Sequence, residues 1–238
     1  MFNIYVTSSK KHEGKTLIAA GISATMHSLG YSTAVYKPIQ TSGIEINGFM
    51  QSPDLTYIKT VDAYIETAFS YLFKSNSVPL IAAETENEII NPELILNDYK
   101  KLVRNADCTI VDGDSGLLSP ITTNFQTVDM IKKLQLPVLF VIKPSEDSIN
   151  DTLLSIYAAQ EKGVEVRGVI LNSIDENCSK KMLTSITRVI EEYSNVKILG
   201  LLPYLGEKIS PQDLMVAILN GIDIESIFNV KIEKLGTN

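Results

Sequence analysis

The sequence has few cysteines, no surplus of basic residues, no long apolar run and no linker, and each shortage excludes something. Its two cysteines, Cys108 and Cys178, lie far apart and form no CxxC or Cys/His ligand spacing, so neither a zinc site nor a disulfide framework is indicated. Both read as small buried apolar residues in a reducing compartment. With 21 Lys and Arg against 28 Asp and Glu, the formal net charge is −7. That balance argues against a nucleic-acid partner, because phosphate contacts need clustered cations. No stretch of 18 or more apolar residues occurs, and the opening MFNIYVTSS lacks a basic n-region and a sufficient apolar run. Neither a membrane partner nor a signal peptide is expected, and the location expected is cytoplasmic. There is no internal repeat, no low-complexity segment and no stretch rich in Pro, Gly and Ser.

What is present is an alternation. Ile4–Val6, Ser32–Tyr36, Thr109–Val111, Pro137–Ile142, Val166–Leu171 and Lys197–Leu201 are short apolar or β-branched runs bounded by turn or charged residues. Runs apolar on both sides predict strands covered on both faces, the condition of a parallel sheet. Helical patterns lie between them at Lys15–Leu29, Asp54–Phe69, Asn91–Arg104, Thr127–Leu134, Ser148–Lys162 and Ser179–Tyr193, with one or two terminal helices over Pro211–Asn229. The fold class this predicts is α/β: a doubly wound, mainly parallel sheet with helices on both faces. Residues 1–238 read as a single domain. In such folds ligands sit beyond the carboxyl ends of the strands, so the loops there are where chemistry is sought.

Three of those loops carry candidate residues. After the first strand comes VTSSKKHEGKT, Val6 to Thr16. Gly14, Lys15 and Thr16 can supply a backbone turn around phosphate, a lysine for the β and γ oxygens, and a hydroxyl for Mg²⁺. Ser8 stands where such loops open on glycine, at a cost of about 1 kcal/mol if the position is left-handed. Lys10 occupies the position at which ParA- and MinD-like ATPases carry a second lysine that reaches the partner subunit's nucleotide. Alternatively, Lys10, Lys11, His12 and Glu13 form a solvated loop tip. The second loop, YKPIQTSG, places Lys37 at a strand end, stiffened by Pro38. Asp54 opens the following helix, as a metal ligand or as a plain N-cap. The third, VDGDSGLLSPI, puts Asp112 directly after a buried strand, as a group for the metal or its waters or as a turn aspartate. Thr16, Asp54 and Asp112 together form the predicted Mg²⁺ set.

In order and spacing these stretches resemble the dethiobiotin synthetase family from Tyr5 to about Tyr204. V-T-G-T-D-T-x-x-G-K-T corresponds to VTSSKKHEGKT, Y-K-P-x-x-T-G to YKPIQTSG, P-H-x-A-A to Pro79–Ala83, and V-E-G-A-G-G-x-x-x-P-I to VDGDSGLLSPI. I-N-H-x-x-L corresponds to Ile149–Leu154, G-V-x-x-N to Gly168–Asn172, and G-x-x-P to Gly200–Pro203. The resemblance implies a homodimeric enzyme, dependent on ATP and Mg²⁺, that joins CO₂ to diaminopelargonic acid and closes a ureido ring. Lys37, Lys15 and Lys10 would be catalytic. His12, Glu13, Gly14, Lys15, Thr16, Asp54, Asp112 and Asn172 would hold the nucleotide, Asn172 reading adenine. Lys11, Thr41, Ser42 and Ser115 would face the substrate. The departures are Ser8 and Ser42 for glycine, Lys10-Lys11 for Asp-Thr, Asp112 for glutamate, an added acid at Asp114, and Asp147 for glycine. The alternatives are a ParA/MinD-like ATPase or regulatory relative without ligase activity, and a non-catalytic protein with a decayed loop.

Overall fold

The computed structural model describes residues 1–176, 178–206 and 208–232; the last six residues of the single domain read from the sequence lie outside them. Seven strands form one parallel sheet: β1 (Phe2–Ser8), β2 (Thr33–Gln40), β5 (Glu66–Leu72), β6 (Cys108–Ser115), β9 (Val138–Ile142), β10 (Val166–Ile174) and β11 (Ile198–Pro203). Their spatial order is β11-β10-β9-β1-β6-β2-β5. Central β1, β6, β2 and β9 are buried along most of their length because helices cover both faces. One face packs against α1 (Lys15–Ser28), α2 (Pro53–Val61), α8 (Pro211–Gly221) and α9 (Ile224–Phe228) through Ile18, Ile22, Ile58, Leu214, Ile218 and Ile227. The other packs against α3 (Pro79–Thr85), α4 (Pro92–Leu102), α5 (Thr127–Leu134), α6 (Glu146–Glu161) and α7 (Lys180–Ser194). The doubly wound sheet expected from the alternation is therefore the fold. Large buried side chains on each face, such as Ile22 and Phe140, each contribute roughly 1.5–3 kcal/mol of apolar transfer.

The main correction concerns Asp54–Phe69, expected as one helix. The helix ends at Val61, Asp62 is extended at φ −150°, and β5 follows as the sheet's edge strand. Edge position explains the misreading: Glu66 and Phe69 are exposed, so β5 lacks the continuous burial that marks the central strands. Two small hairpins and α3 were also absent from the reading. The hairpin of β3 (Ile44–Ile46) and β4 (Phe49–Gln51) turns on Asn47-Gly48, both at positive φ, which is the usual chemistry of a two-residue hairpin turn. The second hairpin joins β7 (Pro120–Thr122) to β8 (Phe125–Gln126). Cys108 is buried as expected, whereas Cys178 is only half-buried, just ahead of α7.

Candidate functional site

The carboxyl ends of β1, β6 and β2 meet in a cleft of about 260 Å³. Its floor begins with α1. Gly14 precedes the helix at φ 90°, a left-handed position suited to glycine, and no side chain caps the first turn. No acidic residue lies in that turn either, so its free N–H groups and the helix dipole are open to an anion. Behind the loop, Asn172 Nδ2 donates to the Glu13 carbonyl at 2.9 Å. A Cβ at residue 14 would stand 2.1 Å from that Nδ2. Glycine is thus required there twice, by backbone conformation and by the approach of Asn172.

Lys15 Nζ donates to Ser8 Oγ at 3.0 Å and to Ser115 Oγ at 2.9 Å. Burial pulls its ammonium below the ordinary lysine range, and Asp112 partly restores it. Thr16 Oγ1 donates to Asp112 Oδ2 at 2.9 Å. Lys37 Nζ lies 2.7 Å from Asp54 Oδ2 and 3.1 Å from the same Asp112 oxygen. Burial alone would lower Lys37, but Asp112 and Asp54 hold it well above the usual lysine range, so it is a cation between two carboxylates. Asp112 is fully buried. Burial pushes its carboxyl up, Lys37 pulls it down, and Asp54 raises it again.

For two residues the structure excludes one of the readings left open by the sequence. Asp54 is not the cap of α2: Ser52 caps it, accepting from Leu55 N–H at 3.1 Å, with Pro53 in the first turn. Asp54 is thereby free to meet Lys37. Asp112 is not a turn aspartate but part of β6, directed at Thr16 and Lys37. Its Oδ1 is buried without a hydrogen-bond partner. An unpartnered buried carboxylate oxygen beside a threonine hydroxyl fits a divalent cation. Among the described residues no group of three or more His, Cys, Asp and Glu side chains could hold a metal unaided. That suits Mg²⁺, which is usually held by one or two carboxylates together with phosphate oxygens and water.

Lys11, His12, Gly14, Lys15, Thr16, Lys37, Thr41, Ser42, Asp54 and Ser115, all singled out in the sequence, line the cleft. Lys11 Nζ donates to Asn76 Oδ1 at 2.9 Å, and His12 sits in the left-handed region at φ 63°. Glu13 is buried under the loop, where desolvation raises its carboxyl to about 7 against the pull of the Lys10 N–H and of Lys15. Lys10 is not brought into the cleft: its Nζ pairs with Asp151 Oδ2 of α6 at 2.7 Å. Ser8 is not left-handed, so the cost expected for the missing glycine is not incurred. Ser42 does take a left-handed turn, at φ 59°. Sequence reasoning missed Gln40 and Asn76 as lining residues. Asn76 follows β5, and an unrecognised strand hides the loop at its end. Gln40 was hidden by the expected end of the second strand at Tyr36: β2 runs on through Lys37 to Gln40, so Lys37 lies inside the strand rather than after it.

Residues 3–212 match the family model described as AAA domain. The chain belongs to that family. Among its relatives, the ATP-dependent dethiobiotin synthetase BioD of Bacillus cereus strain G9842 is 28% identical over 215 residues, 90% of this chain and 88% of the relative. A protein of the same name from Bacillus thuringiensis strain Al Hakam is 27% identical over the same shares. Of solved structures, the MinC:MinD cell division protein complex of Aquifex aeolicus aligns at TM-score 0.61 and 16% identity, over 95% of this chain and 94% of that one. Septum site-determining protein MinD complexed with Mg-ADP, from Pyrococcus horikoshii, aligns at 0.55 and 14% over 96% and 89%. At these identities the structural likeness is one of fold. It gives this AAA domain protein a P-loop α/β fold.

Proposed function

We propose that the protein is an ATP- and Mg²⁺-dependent carbon–nitrogen ligase that carboxylates diaminopelargonic acid and closes the ring of dethiobiotin. The observation that carries this reading is Lys37 held between Asp54 and Asp112 at the edge of the Gly14-Lys15-Thr16 loop. A phosphate grip alone serves any nucleotide hydrolase. A second buried cation beside it, in a cleft also lined by Thr41 and Ser42, serves a reaction that builds negative charge on a second substrate. In that reaction one amine takes up CO₂ as a carbamate, the carbamate oxygen is phosphorylated by ATP, and the second amine displaces phosphate.

On this reading Lys15 and the first-turn N–H groups of α1 orient the phosphates, and Lys37 stabilises the carbamate as its oxygen accepts the γ-phosphoryl group and ADP leaves. Mg²⁺, when bound, would neutralise charge on the phosphates; Thr16, Asp54 and Asp112 would hold it. Asn172 Oδ1, also buried without a partner, suits the exocyclic amino group of adenine. Glu13 braces the loop beneath. Thr41, Ser42, Ser115 and Lys11 line the substrate side. Lys10 supports the ParA/MinD alternative less well, since its ammonium is paired within its own chain.

The chain acts as one ATP-binding domain, 1–238, in a homodimer. Exposed Leu154 and Tyr157 on α6 and Tyr193 on α7 form the apolar surface that supports dimerisation. No helix among the described residues is long and apolar enough to cross a membrane, and a cytoplasmic location fits an enzyme that draws on ATP. Incorporation of labelled bicarbonate into an acid-stable product, dependent on both diaminopelargonate and MgATP, tests the function. ATP binding without product at saturating diamine contradicts it.

A further inference from the structure

Ser8 ends β1 and Ser115 ends β6, on neighbouring parallel strands. They stand opposite each other only because of an irregularity. Val6 pairs with Asp112 and Ser8 with Ser115, so two steps along β1 match three along β6. A bulge of this kind re-aims a side chain at a sheet end; here it sets Ser115, not Asp114, opposite Ser8. Local contacts fix it. Thr7 Oγ1 donates to the Asp114 carbonyl at 2.8 Å, and the Gly116 N–H donates to the Ser8 carbonyl at 3.0 Å. Gly113 has no Cβ where one would meet the Tyr5 ring at 2.2 Å.

The bulge leaves two hydroxyl oxygens 3.4 Å apart, each within hydrogen-bond distance of Lys15 Nζ. An ammonium has three N–H donors, and two of them here go to neutral oxygens. Lys37, by contrast, lies against two carboxylates. Neutral acceptors fix the position of a charge without cancelling it, while a carboxylate fixes and cancels together. Ser8 is held in turn, since its hydroxyl donates to the Lys10 carbonyl.

We propose that Ser8 and Ser115 are positioning residues, a two-hydroxyl cradle that holds the Lys15 ammonium at the phosphate end of the cleft before nucleotide arrives. Ser8 is then the loop's means of aiming its lysine rather than a defect in its opening. The inference rests on the nucleotide-binding reading, and calorimetry with MgATP on the full chain separates the two. Ser8→Ala and Ser115→Ala should each raise Kd about five- to tenfold, the effect of losing one hydrogen bond to a charged group while another remains. Ser115→Thr, which keeps the hydroxyl, should stay within twofold of the unsubstituted protein. In a Lys15→Ala background either alanine should change Kd by less than twofold. Thermal stabilisation by high MgATP gives the same comparison where calorimetry is too weak.

Melting temperatures establish that each variant folds, and Ser115, only half-buried, carries the test should Ser8→Ala not fold. Equal losses in both backgrounds would overturn the cradle in favour of direct phosphate contact or a structural role. Alanine variants that bind like the unsubstituted protein, while Lys15→Ala weakens binding, would overturn the cradle alone. No MgATP affinity in the unsubstituted protein would overturn the nucleotide reading and the cradle with it.

Discussion

Two lysines, one in the cleft and one outside it, show how surroundings decide what one residue type can do. Lys37 is buried within β2 between Asp54 and Asp112, one of which is wholly removed from water. Lys10 is half exposed at the loop tip, with one partner, Asp151, that is also exposed. The buried group is costly to build and leaves an uncompensated charge if broken; the exposed pair is screened by solvent and easily replaced. Chemistry that depends on preorganised charge belongs at the buried end.

That contrast can be broken at several points. Lys37→Ala has the largest expected effect. It strands Asp112, so folding stability should fall by about 3–5 kcal/mol in a denaturant titration, and product formation should be lost. Lys15→Ala removes a cation held by neutral hydroxyls, so it should weaken MgATP binding about a hundredfold or more in calorimetry with a far smaller loss of stability. A Lys15 variant as unstable as the Lys37 variant would contradict the distinction between the two.

Glu13 comes next. Its folded pKa of about 7 lies above the ordinary glutamate value of 4.5, so the folded protein binds the extra proton and the unfolded chain does not. Its contribution is fully present below the unfolded pKa and is lost as pH rises toward the folded one, between about pH 4.5 and 7. Glu13→Gln should therefore flatten the fall in stability over that window and leave the protein on the order of 2 kcal/mol more stable at pH 8. Melting curves at pH 5 and pH 8 check this, and a gain at pH 5 alone would contradict it. Ser42→Gly should relieve a left-handed residue and add about 0.5–1 kcal/mol, measured by thermal unfolding. Lys10→Ala should have the smallest effect on stability and on MgATP affinity.

How much of this was legible in the sequence varies with the range of the interactions. Central strands were readable because burial on both faces writes a continuous apolar run, as in Val138–Ile142. β5 was not, because an edge strand shares exposed positions with an amphipathic helix, and the break at Asp62 is a single residue. Losing β5 hid Asn76. At the site, Gly14-Lys15-Thr16, Lys37, Asp54 and Asp112 were singled out for expected places at strand and helix ends; the structure brings them together, with Lys37 and Asp112 lying within β2 and β6 rather than after them. That Asp54 is not the cap depended on Ser52, which takes that position. The pairing of Ser8 with Ser115 was beyond reach: it joins residues 107 positions apart through a bulge, and no local pattern encodes that register. The sequence therefore showed a missing glycine where the fold places a second hydroxyl on Lys15.

On the proposed reading the ligase reaction takes place at the buried Lys37 and not at the loop tip. The most direct measurement is dethiobiotin formation from diaminopelargonate, bicarbonate and MgATP by the unsubstituted protein, Lys37→Ala and Lys10→Ala side by side. Product is expected from the unsubstituted protein, a rate within about twofold of it for Lys10→Ala, as befits a solvent-screened pair, and none from Lys37→Ala. No product from the unsubstituted protein at saturating substrates, or a reaction that survives loss of Lys37 and fails without Lys10, would contradict it.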